Sequence, residues 1–176
     1  SIYSLKKLTT EEYIHDRRFQ AIGLGIKFNR HKSHWFTGHD IAGALKKVPW
    51  DKVALVAHNA KFDAAILSWV YGVKPRFIID TLSMARPYHN ANTGVSLAKL
   101  AEHYQLGIKG KEVVQAMGKR AEDFSPEELA QYGEYCKNDC DLTLALLDAL
   151  LTRGFPLSEL QLIDTTIRMY SDPVLT

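Results

Sequence analysis

Between residues 53 and 67 the chain changes its hydrophobic period with no linker. That change limits the fold more than any other stretch. Val53, Leu55 and Val56 belong to a short continuous apolar run, the pattern of a strand buried on both faces. Phe62, Ile66, Trp69 and Val70 then recur at helical spacing, and Gly72 suits the end of that helix. His58, Asn59 and Asp63 fall between the two patterns. A strand that turns directly into a helix puts such residues at the carboxyl end of the strand, where open α/β sheets keep their sites. The spacing places Asp63 in the first helical turn, where a carboxylate serves a metal ion or the helix dipole.

The flanking segments continue the alternation. Thr9, Thr10, Glu11 and Glu12 read as a helix start, with a Thr cap and early acids. Residues 19–28 predict a strand in which Gly23 and Gly25 let a neighbour approach closely, and residues 34–37 predict its return partner. Asp40 is expected to cap a helix over 41–48, ended by Pro49. A buried strand over 76–79 leads to Asp80, an expected N-cap, and a helix over 82–86 that stops before Pro87. Residues 95–104 are amphipathic, whereas 106–112 read as a Gly- and Lys-rich loop. Ser125, Pro126 and Glu128 open a long helix reaching about residue 151, and a last helix spans 157–170. A hairpin, then strand–helix–strand, then helices is the order of an α/β fold with a sheet of mixed direction.

Composition narrows the function classes. The chain has 176 residues, about one domain's worth, with 46% hydrophobic and 24% charged residues, as in ordinary globular proteins. No apolar run approaches the ~20 residues of a membrane span, and residues 1–7 lack the core of a signal peptide. Cys136 and Cys140 are the two cysteines and share a helical face; they read as plain thiols of a reducing, cytoplasmic compartment. A net charge of +2 does not by itself announce nucleic-acid binding, although Lys109 and Lys111 and other basic pairs cluster locally. His31, His34 and His39 lack the accompanying carboxylate or thiol of a metal site.

The long C-terminal helix carries a possible partner for Asp63. Tyr135 and Asp139 lie one turn apart there, on a face otherwise made of Leu, Tyr and Cys. An aspartate in that setting is expensive to bury without a partner or a metal ion. At this point the residues resemble a known family. His58-Asn59-Ala60-Lys61-Phe62-Asp63 resembles the second motif of the DEDD 3′–5′ exonucleases, and Tyr135-Cys136-Lys137-Asn138-Asp139 resembles their third motif in its tyrosine form. The similarity is greatest to the proofreading exonuclease domain of phage-type family A DNA polymerases, and it extends to Asp16-Arg17-Arg18-Phe19 and to the tail from Phe155 to Met169.

The resemblance implies a ribonuclease H-like mixed sheet flanked by helices. It implies metal-dependent removal of nucleotides from a single-stranded or frayed DNA 3′ end, with a two-ion Mg²⁺ or Mn²⁺ site. Asp63 and Asp139 would be metal ligands, Tyr135 would orient water, and His58, Asn59 and Phe62 would line the substrate. Residues 1–154 would form the exonuclease-like domain. Residues 155–176 would lead toward a polymerase domain, in the same or another chain, in a bacterial or phage-infected cell. The family's first motif, Asp-x-Glu on the central first strand, has no counterpart here; Glu11, Glu12 and Asp16 sit in a polar helical context. The expectation is that residues before Ser1 carry this motif and strand. The alternatives are a natural truncation or supply by another segment or chain. Two further functional readings stay open: a non-catalytic nucleic-acid-binding module, and an exoribonuclease of the same family.

Overall fold

The computed structural model describes residues 3–89, 94–110 and 118–172. Ser1, Lys111 with Glu112, and the last four residues of the tail lie outside them. The chain folds as two compact units, each drawn from two separate stretches. The first is Ser1–Val48 with Gly110–Cys140, and the second is Pro49–Lys109 with Asp141–Thr176.

In the first unit, helix α1 (Thr10–His15) opens with a complete capping box. Glu12 N–H donates to Thr9 Oγ1 at 3.2 Å and Thr9 N–H donates to the Glu12 carboxylate at 2.8 Å. Strand β1 (Gly23–Lys27) pairs antiparallel with β2 (Ser33–Thr37), Gly25 opposite Trp35. Residues 19–22, expected in the strand, stay outside it. Helix α2 (Asp40–Lys46) has His39 at its N-cap, so Asp40 is its first residue and not the expected cap. Gly38, at φ 50°, turns the chain just before it.

The expectation of close packing at Gly23 and Gly25 is met. A Cβ on Gly23 would lie 1.9 Å from the Trp35 ring, and one on Gly25 would lie 3.0 Å from Cys136. Trp35 also covers Gly133 in helix α6 (Pro126–Thr152), where a Cβ would come within 2.6 Å of its ring. Tyr132 meets the indole edge-on, ring centroids 5.7 Å apart. The hairpin is thereby seated on the first half of α6, which begins at the predicted Ser125–Glu128 capping box.

In the second unit, β3 (Ala54–Ala57) runs parallel to β4 (Phe77–Asp80), with Ala57 opposite Asp80. Helix α3 (Ala60–Tyr71) follows β3 and ends at Gly72, which takes the left-handed conformation at φ 65°. Helix α4 (Thr81–Ala85) follows β4, and a 3₁₀ turn over Arg86–Tyr88 continues past it through Pro87. Helix α5 (Leu97–His103) is capped by the Ser96 hydroxyl. The end of α6 and helix α7 (Leu157–Ser171) complete the unit.

Met84, Leu100, Leu146 and Leu150 form the sealed part of one core cluster, and Ala60, Ala64, Ile78 and Ile167 form another. The architecture is mixed α/β: an antiparallel hairpin, a parallel strand pair, and helices. Among the described residues, no helix is long and apolar enough to cross a membrane.

Candidate active site

The β3–α3 corner is held by a residue from the neighbouring strand. Parallel register brings Asp80 to the same end of the sheet as Ala57, where the chain leaves β3. Asp80 Oδ1 accepts the N–H groups of Asn59 (2.9 Å), Ala60 (3.1 Å) and Leu82 (3.2 Å), and Ser83 Oγ donates to Oδ2 at 2.7 Å. One carboxylate therefore caps both α3 and α4. It is 3% exposed, with each oxygen engaged. Asp80 was legible as the cap of its own helix; its hold on α3 was not, because only strand register reveals it.

Asn59 precedes α3 in the left-handed conformation, φ 71° and ψ 49°, and its side chain does not cap the helix. Asparagine tolerates this region better than most residues, yet such a backbone costs about 1–3 kcal/mol and needs surroundings that impose it. Asp80 imposes it from one side. His58 contributes from the other: its Nδ1 lies 2.9 Å from Thr81 Oγ1 and its Nε2 lies 2.9 Å from the Val95 carbonyl oxygen. The exposed Asn59 carboxamide and half-buried Phe62 sit on the short path from this corner to Asp63. Lys61, between them, places its ammonium 3.8 Å from the centre of the Tyr170 ring.

Asp63 lies in the first turn of α3 and its side chain is exposed. Desolvation by the surrounding protein, and then the Asp80 charge, push its pKa up to about 7, opposed by a hydrogen bond from its own backbone. A carboxyl shifted upward by desolvation and a neighbouring negative charge gains by meeting a cation. Asp80, buried and accepting four hydrogen bonds, is committed to holding the corner.

Behind β4 stands a further carboxylate. Asp164 of α7 accepts the Ile78 N–H at 2.8 Å and is paired with Arg168 Nε at 3.0 Å, while the Arg168 guanidinium also donates to the Pro75 carbonyl. Ile78 is two residues before Asp80, so α7 fixes the strand that fixes the corner. Sequence reasoning missed Asp164. Its signal was an aspartate beside Ile163 and Ile167 on a helical core stripe, the same signal that singled out Asp139.

Tyr135 and Asp139 lie in the first unit, one turn apart on α6, and both are half-buried. Gln131 Nε2 donates to Tyr135 Oη at 2.8 Å. Cys136, on the same turn, backs Gly25. The seat made by Gly23, Gly25 and Gly133 thus sets the rotation of the helix that carries Tyr135 and Asp139.

Asp63 and Asp139 are oxygen donors suited to Mg²⁺ or Mn²⁺. Among the described residues, no three His, Cys, Asp or Glu side chains gather as a metal-holding group. The donor chemistry fits a divalent ion, while a complete ligand set is absent from these residues.

A model of the family described as 3′-5′ exonuclease matches residues 14–154 of this chain. No curated protein matches it. No solved structure matches it either.

Proposed function

Since the chain belongs to the 3′–5′ exonuclease family related to the proofreading domains of family A DNA polymerases, we propose that it hydrolyses phosphodiester bonds at DNA 3′ ends with divalent metal ions. The observation that carries this reading is the ordered motif pair inside the matched region. Asp63 sits water-accessible at the head of α3, and Tyr135 and Asp139 sit one turn apart on α6. On this reading the fold is ribonuclease H-like, and residues 155–176 lead from the nuclease domain toward a polymerase domain in the same or another chain.

Asp63 and Asp139 offer carboxylate oxygens to the ions. Bound Mg²⁺ or Mn²⁺ supplies Lewis acidity and offsets the charge that develops on the phosphate oxygens. Tyr135 Oη accepts from Gln131 Nε2, which positions the hydroxyl for its role in orienting the attacking water. The Asn59 carboxamide and the Phe62 ring contact the terminal nucleotide. His58, with both ring nitrogens engaged inside the protein, serves that contact by holding the corner.

The test is degradation of 5′-labelled single-stranded DNA in Mg²⁺ or Mn²⁺, with RNA in parallel. Asp63→Ala and Asp139→Ala abolish the shortening from the 3′ end, and Tyr135→Phe slows it. Full activity of Asp139→Ala would sink the ligand assignment, and equal turnover of RNA would favour the exoribonuclease. The absence of a three-ligand cluster among the described residues favours one second reading, a non-catalytic nucleic-acid-binding module. That reading is identified by oligonucleotide binding without turnover in Mn²⁺.

A further inference from the structure

Three basic side chains converge in the second unit on one phenol, apart from the residues discussed above. Arg153, just beyond α6, donates from Nη1 to Tyr104 Oη at 3.2 Å. His89, after the turn that follows α4, places Nε2 2.8 Å from the same oxygen. His103, at the end of α5, meets the His89 ring edge-to-face with centroids 4.9 Å apart. The Arg153 guanidinium also lies over the Tyr88 ring, 4.5 Å from its centre.

We propose that Arg153, His103 and His89, gathered around Tyr104, form a nucleic-acid contact outside the catalytic corner that takes a backbone phosphate of a single strand. Its reading as a strand contact rests on the nuclease function; its anion chemistry does not. A guanidinium has five N–H donors, and Tyr104 takes one. Arg153 and His103 are exposed, so their remaining donors face water. Among the described residues no carboxylate joins the network. The neighbours that lower the His89 pKa, after burial, are His103 and Arg153, both of the same sign as protonated His89. When the histidines are protonated, these like charges repel one another, and an anion relieves that repulsion.

The guanidinium lies over Tyr88, 4.5 Å from the ring centre, which restrains it while its remaining N–H donors stay available to phosphate oxygens. The groups facing His89 come from each packed segment: Tyr88 from its own turn, His103 and Tyr104 from the end of α5, and Arg153 from the end of α6. An anion favours protonated imidazole over the neutral ring, so the contact tightens as pH falls through the histidine range.

The experiment measures binding of fluorescein-labelled oligothymidylate to the whole chain in EDTA, at pH 6 and pH 8, across a salt series. Arg153→Gln and His103→Gln are each expected to weaken binding about fivefold and to reduce the salt slope by about one. His103→Gln also shrinks the gain at pH 6. Arg153→Lys keeps the charge but loses the fork, and falls between. Unchanged affinity and salt slope in both Gln variants overturns the proposal. Histidine resonances are followed in parallel during titration with inorganic phosphate and with the oligonucleotide. A response of His89 and His103 to both supports the strand contact, and a response to inorganic phosphate alone overturns it. Hydrolysis in Mn²⁺ is scored separately. Absent turnover with the binding losses intact overturns the nuclease reading and leaves this one standing.

Discussion

Asp63 and Asp80 are the same residue type in one corner, put to opposite uses by what surrounds them. Asp80 is sealed among donors, and its removal strands three amide N–H groups and a hydroxyl. Asp80→Ala is expected to cost about 3 kcal/mol or more in urea unfolding. Asp63 has its pKa pushed up to about 7, chiefly by desolvation. Its folded state therefore holds a proton that the unfolded chain releases above about pH 4. Metal-free protein should lose stability as pH rises through that window, and Asp63→Asn should flatten the slope. Unfolding midpoints between pH 4 and pH 8 check the sign; a midpoint that rises with pH because of Asp63 contradicts it. The sequence made Asp63 legible, because the change of hydrophobic period brackets it. It could not separate the two aspartates by role, since burial and donor count arise from strands that meet only in three dimensions.

Helix and strand identities were largely readable, because capping residues act locally. Thr9 with Glu12 and Ser125 with Glu128 cap as their spacing predicts. The errors lie where a neighbour decides: α2 starts after Gly38, and β1 extends only as far as its pairing with β2. Gly133 was unremarkable as sequence, because a helical glycine is informative only once Trp35 is found above it. Gly133→Ala should cost about 1–3 kcal/mol through overpacking, more than helix propensity would return. Paired with Trp35→Leu, which vacates the space, the same substitution should cost much less; thermal unfolding of the double-mutant cycle checks this. Asp164 acts at the same scale, because its carboxylate takes an N–H that β4 does not give to β3. Asp164→Ala should cost about 2–3 kcal/mol and speed amide exchange at Ile78, and then at Asn59 and Ala60, as read by NMR.

At the scale of the whole chain, neither unit is a continuous stretch of sequence, and helix α6 contributes residues to each. The family match ends at residue 154, yet Ile167 of α7 belongs to the core cluster with Ala60, Ala64 and Ile78. A chain stopped at residue 154 should therefore unfold at lower denaturant than the full chain; burial of Ile167 alone is worth about 2–5 kcal/mol. Equal midpoints would show that α7 is an appendage. The resemblance implied a boundary at that residue, and core membership of α7 is written separately, in its helical stripe. Tryptophans packed within each unit also label it. Trp35 lies in the glycine seat of the first unit, and Trp69 donates its indole N–H to the Ser171 carbonyl at 3.0 Å in the second. With Trp50 and Trp69 changed to phenylalanine, ultraviolet emission comes from the hairpin seat alone; with Trp35 and Trp50 changed, it comes from the α3–α7 contact alone. The molecule thus carries two native fluorophores, able to time the folding of each half without any dye attached.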